Sequence, residues 1–252
     1  MNFLKVCILF IVSINSYAEE NTIDELYKSN NINGSILIES ADGGIKYQYN
    51  INDKESFIPA STFKIPNTLI LLEEGLITDE FEIIKWDGKE RAYAVWNQDQ
   101  TLKTAFQSSC VWCYQYYSRQ VSNEKYLKYL RKFDYGNCLT GSDVARFWLD
   151  GELRISVEGQ INFLRKLHAE DLPVQKSNIK ILKNIMLSEE HDNYKIWSKT
   201  GWSGKDGWYV GYLVADNKTW FFANHIEIDK NSDLAFRKKL TLEAFKILKI
   251  IP

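Results

Sequence analysis

Residues 59–75 read PASTFKIPNTLILLEEG, and their apolar stripe predicts a helix from Thr62 to Glu74 with Gly75 as its C-terminal stop. Pro66 lies so close to the first turn that its missing N–H removes little intrahelical hydrogen bonding. The helix is therefore expected to begin close to Ser61, with a loosened first turn.

Ser61 and Lys64 form a Ser-x-x-Lys motif at the start of this helix. A spacing of three places the two side chains on one helix face within mutual reach. A serine hydroxyl is a weak nucleophile without an adjacent base, and the lysine can supply that base without histidine. The helix N-terminus adds N–H groups suited to an oxyanion. Taken alone, the motif also fits a surface helix with Ser61 as its N-cap and a solvated Lys64.

The rest of the chain shows strands at both ends and helices between them. A hairpin is predicted around Asp42-Gly43-Gly44. The predicted strands are Ser35–Glu39, Lys46–Asn50, Tyr194–Thr200, Trp208–Ala215 and Thr219–Ile228. The further predicted helices are Phe106–Tyr117, Asn123–Phe133, Val157–Leu167, Val174–Met186 and one that follows Asn231-Ser232 and runs to about Lys249. This order predicts an α+β fold in which distant segments build one sheet and a helical insert covers about residues 76–190.

Lys199-Thr200-Gly201 ends one of the predicted strands. It offers a cation, a hydroxyl and close backbone approach to a ligand. Such a tripeptide is usually a strand leading into a turn. Its value here comes from its place downstream of Ser-x-x-Lys, the order found in β-lactamases and penicillin-binding proteins.

The first 18 residues have the form of a removed export signal. Lys5 precedes an apolar run from Val6 to Ile14, and Ser16-Tyr17-Ala18 has the small-x-small pattern of a cleavage site. The run is shorter than the roughly 20 residues a transmembrane helix needs, and no cysteine is suitably placed for lipid attachment. We expect residues 19–252 to form one exported domain, periplasmic or secreted, without a stable membrane anchor.

Composition narrows the classes of partner. The 252 residues are 45% hydrophobic and 14% aromatic, enough for one sizeable core. Loss of the leader removes Lys5 and leaves 30 basic against 33 acidic residues, a formal charge of −3. A nearly balanced surface argues against nucleic acid or an anionic membrane as the partner.

Three cysteines remain after cleavage, Cys110, Cys113 and Cys138, so at most one bridge can form within the chain. The Cys110-Val111-Trp112-Cys113 spacing also fits a redox or metal pair, but ordinary buried thiols are the favoured interpretation. The three histidines, His168, His191 and His225, lie far apart without ligand spacing, and no metal site is expected.

The assembled motifs resemble those of the class D (oxacillinase-type) serine β-lactamases over nearly all of residues 19–252. The similar segments are Pro59–Lys64 (nucleophile), Ser109-Cys110-Val111 (Ser-x-Val), Tyr135-Gly136-Asn137, Phe147-Trp148-Leu149 with Leu153–Ser156 (omega region), Lys199-Thr200-Gly201 and Trp208–Gly211 (Trp-x-x-Gly). The resemblance implies a serine β-lactamase/D,D-peptidase-like fold, an antiparallel sheet packed with helices. It also implies hydrolysis of penicillin-type β-lactams, which confers antibiotic resistance.

The resemblance further assigns roles around the nucleophile. Ser61 forms the acyl intermediate, and Lys64 is the general base after CO₂ has carbamylated its amine. Loss of charge in a dry pocket makes such chemistry coherent, because a neutral amine can add CO₂. The carbamate pocket is formed by Val111, Trp148 and Leu149, with the Trp148 indole N–H as donor. For Val111 and Trp148, core packing is the plain alternative, and it is compatible with the pocket.

The remaining roles lie along the second motif. Ser109 relays a proton to the leaving β-lactam nitrogen, assisted by the charge of Lys199. Backbone N–H groups of Ser61 and Trp202 form the oxyanion hole. The substrate-binding residues are Thr200, Gly201 and Arg237. Arg237 suits a carboxylate through its planar fork, or else it is a solvated helix charge beside two lysines.

Three other functions compete with the hydrolase. A β-lactam sensor shares the motifs, but such receptors carry several transmembrane helices upstream. A D,D-peptidase usually has Asn where this chain has Val111. A secreted binding protein with a catalytically inactive site is the third alternative, and no feature of the sequence supports it. The sequence does not fix the β-lactam spectrum, the pairing of the cysteines or the oligomeric state.

Overall fold

The computed structural model describes residues 22–52 and 54–252. The predicted leader at residues 1–18 lies outside them. The helices are α1 (residues 22–29), α2 (Lys64–Glu73), α3 (Leu102–Gln107), α4 (Val111–Ser118), α5 (Asn123–Phe133), α6 (Val157–His168), α7 (Lys176–Met186) and α8 (Phe236–Ile247). The strands are β1 (Gly34–Ser40), β2 (Lys46–Tyr49), β3 (Ile83–Ile84), β4 (Gln100–Thr101), β5 (Leu187–Glu190), β6 (Tyr194–Trp202), β7 (Asp206–Ala215) and β8 (Lys218–Glu227).

The main sheet draws its strands from both ends of the chain, as the sequence predicts. Within the described residues it has six strands in the order β2-β1-β8-β7-β6-β5, and every pair is antiparallel. The last strand, β8, lies between β1 and β7. Its residue Ile226 pairs with Gly34 of β1 on one side and with Gly207 of β7 on the other. The predicted α+β class is confirmed.

The β7–β8 connection shows how local sequence sets strand register. Asp216 and Asn217 both have left-handed backbones, with φ of 48° and 59°. Two such residues make the mirror-image turn whose twist matches a hairpin, and Asp and Asn tolerate this conformation better than most residues. The turn fixes the pairing of Ala215 with Lys218 and of every pair beyond it.

Helices cover both faces of the sheet, which explains why β7 and β8 are apolar along almost their whole length. On one face α1, α8 and the C-terminal residues pack in a cluster that includes Ile23, Phe222 and Phe245. On the other face lies a larger apolar cluster, to which all helices from α2 through α7 contribute. Phe63 and Val210 are two of its members. A buried hydrogen bond of 2.8 Å from the Tyr27 hydroxyl to Asn224 ties α1 to β8.

One predicted helix is wrong. Phe106–Tyr117 is divided into α3 and α4, because α3 ends in a Schellman motif. The N–H of Ser109 binds Phe106 O at 3.1 Å, and the N–H of Cys110 binds Ala105 O at 2.8 Å. Ser109 takes the left-handed position with φ of 56°, where glycine is usual.

Other helices begin or end differently from the predictions. The nucleophile segment starts with a 3₁₀ turn over Ala60–Phe63, and α2 begins only at Lys64. Gly75 terminates α2 as predicted, with φ of 66°. The segment predicted as a helical insert ends in the short strand β5, which sequence reasoning missed. In the described part of the chain, no helix is long and apolar enough to span a bilayer.

Candidate active site

The turn that carries Ser61 is held in a strained conformation. Ala60, the residue before the nucleophile, has φ of 49°, a region costly for residues other than glycine. Its neighbour Pro59 accepts two hydrogen bonds through its carbonyl oxygen, from the N–H of Thr62 at 3.1 Å and from the Thr62 hydroxyl at 2.7 Å. The Trp208 indole N–H donates to Ile58 O at 2.9 Å. These bonds fix the backbone on both sides of Ala60.

Helix α6 and strand β6 also contact the turn that carries Ser61. Gln160 of α6 donates through its side-chain amide to the Thr62 hydroxyl at 2.9 Å. Gly201 of β6 lies so close that a Cβ atom there would be 2.9 Å from Pro59 O and 3.1 Å from the Thr62 methyl. The close approach seen at Gly201 is made to the turn that carries Ser61, and its predicted approach to a ligand stays a prediction.

The Ser61 and Lys64 side chains meet as the spacing predicts. Lys64 Nζ lies 3.2 Å from Ser61 Oγ, and Lys64 is only 1% exposed. Burial lowers the pKa of Lys64 from 10.5 to about 7, because the interior disfavours the charged amine. Lys64 Nζ also lies 4.8 Å from the centre of the Tyr114 ring. Because Lys64 is buried, the alternative of a solvated surface lysine is wrong. Within the described residues no carboxylate pairs with it.

Lys199 joins this pair from the sheet. Its Nζ donates to Ser109 Oγ at 2.5 Å and to Thr200 O at 3.1 Å. Lys199 is buried, and burial, followed by the charges of Lys64 and Arg237, holds its pKa well below the usual range. The structure thus brings Ser61, Lys64, Ser109 and Lys199 into one cluster from three separate parts of the chain.

The three residues predicted to form a carbamate pocket differ in how deeply they are buried. Trp148 is 1% exposed, and its indole stacks on the Phe63 ring with centroids 5.4 Å apart, next to Lys64 in sequence. Leu149 is half-buried against the same apolar cluster. Val111 is the first residue of α4 and is also half-buried.

Arg237 is not a solvated helix charge. Its guanidinium donates to Leu234 O at 2.8 Å and to Gly201 O at 2.6 Å, and burial lowers its pKa. Among the described residues no carboxylate pairs with it. The hydrogen bond to Gly201 ties α8 to the end of β6, where Thr200 and Trp202 also lie.

The cleft continues from these residues along the edge of the sheet. A cavity of about 420 Å³ is lined by Lys199 and Thr200, and farther out by Phe106, Met186 and Ser188. β5 pairs with β6 only from Lys195 to Trp197. The backbone of β6 from Ser198 onward is therefore open on the cavity side.

Cys110 and Cys113 are not free thiols, which corrects the favoured interpretation. They form a disulfide with a Cα–Cα distance of 5.5 Å, and Cys138 is free. The spacing of the two residues fits a redox pair equally well, and only the three-dimensional contact decides between the alternatives. Across the described residues there is no group of three or more His, Cys, Asp or Glu that could hold a metal ion.

Tyr135-Gly136-Asn137, one of the segments similar to the class D enzymes, forms a tight turn. Gly136 has φ of 60°, and a Cβ atom there would lie 2.1 Å from Arg154 O. The Asn137 side chain donates to Glu152 O at 2.9 Å and accepts from the N–H of Arg154 at 3.1 Å. The turn therefore anchors the chain at Glu152 and Arg154, within the omega region.

Sequence reasoning missed three residues that hold the site. Gln160 carried a usable signal, since it is a polar residue on the buried face of α6 between Val157 and Ile161. Tyr114 reads as ordinary helix core and gave none. Trp96 donates through its indole to Ser108 O at 2.9 Å, a contact to a loop that periodicity cannot reveal.

Fold and site together define a class. The family model of the penicillin-binding protein transpeptidase domain matches residues 8–246. The antiparallel sheet with its helices, the Ser-x-x-Lys turn and the Lys-Thr-Gly strand are those of the serine β-lactamases and their penicillin-binding relatives.

Individual relatives narrow the class further. β-Lactamase OXA-48 of Klebsiella pneumoniae is 44% identical over 202 residues, 79% of this chain and 76% of that protein. β-Lactamase OXA-2 of Salmonella typhimurium is 34% identical over 244 residues, 94% and 89% of the two chains. The solved class D β-lactamase YbXI from Nostoc superposes with a TM-score of 0.87 at 38% identity, over 90% of this chain and 98% of that one. The chain belongs to the class D β-lactamases and is a serine β-lactamase.

Proposed function

We propose that this enzyme hydrolyses penicillin-type β-lactams through an acyl intermediate on Ser61, and so confers resistance to them. The observation that carries the proposal is the contact of 3.2 Å between Ser61 Oγ and the buried Lys64 amine. With a pKa of about 7, that amine is uncharged in about half of the molecules near neutral pH. An uncharged amine can accept the serine proton, whereas an ammonium cannot.

The remaining residues divide the reaction between them. Ser61 Oγ attacks the β-lactam carbonyl while its proton passes to the Lys64 side chain. The backbone N–H groups of Ser61 and Trp202 stabilise the oxyanion, at about 3 kcal/mol per donor in other acyl-transfer enzymes. When the C–N bond breaks, Ser109 gives its proton to the leaving nitrogen and is reprotonated through Lys199. Water then hydrolyses the ester.

The substrate carboxylate is assigned to Thr200 and Arg237. Arg237 has no carboxylate partner among the described residues, so its free N–H groups remain available to an anion. The absence of a side chain at Gly201 lets the end of β6, with Thr200, lie directly against the turn that carries Ser61. The summed charge of Lys199 and Arg237 would attract the anionic substrate into the cleft.

The surroundings of Lys64 also fit CO₂ bound to its amine. The amine is buried, partly uncharged near neutral pH and unpaired with any described carboxylate, and the buried Trp148 indole stacks on the neighbouring Phe63 ring. Val111, Trp148 and Leu149 would hold this group. When bound, CO₂ supplies a carboxylate-type oxygen base at the end of the side chain.

A burst experiment with a chromogenic β-lactam tests the hydrolase against its rivals. Continuous release of chromophore, lost in Ser61→Gly and Lys64→Ala, is the expected result. One equivalent released, followed by silence, would indicate a sensor or a transpeptidase instead. No release at all would exclude all three functions.

Carbamylation and export need their own measurements. After acid treatment, activity should return faster with added bicarbonate, and ¹³C-bicarbonate should give a carbamate NMR signal that Lys64→Ala lacks. Equal recovery without CO₂ would contradict the carbamate. For export, we expect an N-terminus at Glu19 in protein recovered from the periplasm. An intact Met1 in that fraction would contradict cleavage after Ala18.

A further inference from the structure

The N-terminus of α4 has an unusual cap. Its N-cap residue, Cys110, makes no side-chain cap hydrogen bond. The residue is bonded instead to Cys113, the third residue of the helix, through the disulfide. Both cysteines are completely buried. The pair is therefore shielded from solvent, unlike an exchanging redox pair, which needs an accessible sulfur.

N-cap and third helical residue are the two positions that a capping box joins by reciprocal hydrogen bonds. The same chain shows such a box one helix earlier. At α3 the N–H of Thr104 donates to the Thr101 hydroxyl at 3.1 Å, and the N–H of Thr101 donates to the Thr104 hydroxyl at 2.8 Å. At α4 a covalent bond links the equivalent two positions.

This cap lies directly beside a residue of the active site. Ser109 immediately precedes Cys110 and holds a left-handed backbone, with its Oγ 2.5 Å from Lys199 Nζ. On its other side, Ser108 O accepts the hydrogen bond from the Trp96 indole. A left-handed serine has no intrinsic preference for that conformation, so neighbours must maintain it.

We infer that the Cys110–Cys113 disulfide is a covalent N-cap of α4 that positions Ser109 against Lys199. The inference rests on the proposed function, in which Ser109 relays a proton. Cys110 and Cys113 are positioning residues, since neither contacts the reacting atoms. Loss of the cap should let the α4 N-terminus fray and the Ser109 hydroxyl move away from Lys199.

Two double variants of matched shape test this. Cys110→Thr/Cys113→Thr restores a hydrogen-bonded box like that of α3, whereas Cys110→Val/Cys113→Val has the same shape without hydroxyls. A misplacement of about 1 Å can cost on the order of 100-fold in rate. We therefore expect kcat to fall by about 10- to 100-fold in the valine pair and to recover at least partly in the threonine pair, with KM little changed. Cys138→Ala should keep the kcat of the unmodified enzyme.

A purely structural role is separated by repeating the variants in a Ser109→Ala background. If the disulfide acts through Ser109, the valine pair adds no further loss of kcat there. Full additivity, or an unchanged kcat in the valine pair, would overturn the inference. So would peptide mapping that finds Cys110 and Cys113 as free thiols in the unmodified protein. If neither pair folds, Cys110→Ser, which keeps a cap acceptor, should exceed Cys113→Ser in kcat, and the reverse order would contradict the role.

Failure of the proposed function has a different signature, because the unmodified enzyme would then show no turnover. In that case, amide hydrogen exchange tests the covalent cap independently of turnover. Amides of Val111–Cys113 should exchange faster in the valine pair than in the threonine pair, and equal rates would refute the covalent cap.

Discussion

At the scale of single residues, the site contains three basic groups without carboxylate partners among the described residues: the buried Lys64 and Lys199 and the half-buried Arg237. Lys64 contacts Ser61, and Lys199 contacts Ser109, while Arg237 binds only carbonyl oxygens among the described residues. Buried charges are usually paired because desolvation is costly. Here the cost appears as lowered pKa values in all three groups. In the proposed mechanism, this desolvation is what allows Lys64 to act as a base.

The pH dependence of the reaction should report this desolvation. Below a pKa of about 7 the Lys64 amine is protonated and cannot accept the Ser61 proton. We expect kcat/KM to fall about tenfold per pH unit below pH 7. The measurement is a pH profile with a chromogenic β-lactam at constant ionic strength. A profile that stays flat down to pH 5 would contradict Lys64 as the base.

Residues of the candidate site could be predicted from the sequence where a short motif is typical of a known chemistry. Ser61 and Lys64 follow from a short motif whose spacing already implies proximity, and Lys199 follows from a second motif placed downstream of the first. The state of Cys110 and Cys113 did not follow, since the same spacing serves thiols, metals and bridges. Tyr114 and Trp96 could not be found, because their contacts join segments whose relative placement no periodicity encodes.

At the scale of elements, catalytic groups lie where helices end. Ser61 lies in the 3₁₀ turn before α2, and Ser109 ends the Schellman motif of α3. The apolar spacing continues from α3 into α4, so the pattern predicted one helix. Two helices form instead, because the chain turns at Ser108 and Ser109. The Trp96 indole supports this turn by donating a hydrogen bond to Ser108 O. Strand and helix positions elsewhere were largely predictable, because each buries one periodic face.

The support that α6 gives to the nucleophile turn can be measured. Gln160→Met keeps the side-chain volume but removes the hydrogen bond to Thr62. Since one such bond contributes about 1 kcal/mol, we expect kcat to fall about fivefold. Gln120→Met is the matched control, because Gln120 is exposed at the end of α4 and should leave kcat unchanged. An equal effect of both substitutions would refute the support.

The turn at Gly136 provides a second element-scale prediction. Gly136→Ala combines a positive φ with a Cβ contact of 2.1 Å to Arg154 O. Gly43→Ala, at φ of 72° with no atom within 4 Å, imposes the backbone strain alone. We expect losses of unfolding free energy of about 1 kcal/mol for Gly43→Ala and at least about 2 kcal/mol for Gly136→Ala. Urea unfolding measures both, and equal losses would contradict the steric contact.

At the scale of the whole molecule, the burial that lowers the pKa of Lys64 also reduces folding stability. The folded pKa of Lys64, about 7, lies below its ordinary 10.5, so the folded state binds fewer protons between these values. The free energy of unfolding therefore rises with pH across that window, and the full cost of the buried charge is present below pH 7.

Lys64→Met should remove this cost while abolishing turnover. In CO₂-free buffer at pH 6 we expect the variant to gain up to about 5 kcal/mol in unfolding free energy, with the gain shrinking towards pH 10. Lys132→Met, at an exposed position, should change stability little at either pH. A Lys64→Met variant less stable than the unmodified enzyme at pH 6 would contradict the buried-charge account.

The position of β8 between β1 and β7 bears on the life of the chain before it is an enzyme. An emerging polypeptide presents β1 and β2 to solvent nearly two hundred residues before their neighbour in the sheet leaves the ribosome. No cooperative sheet can close around an absent central strand, so β1 and β2 cannot join the rest of the sheet before β8 has been made. Segments far apart in sequence must therefore meet before the fold can form, which favours slow folding of this enzyme.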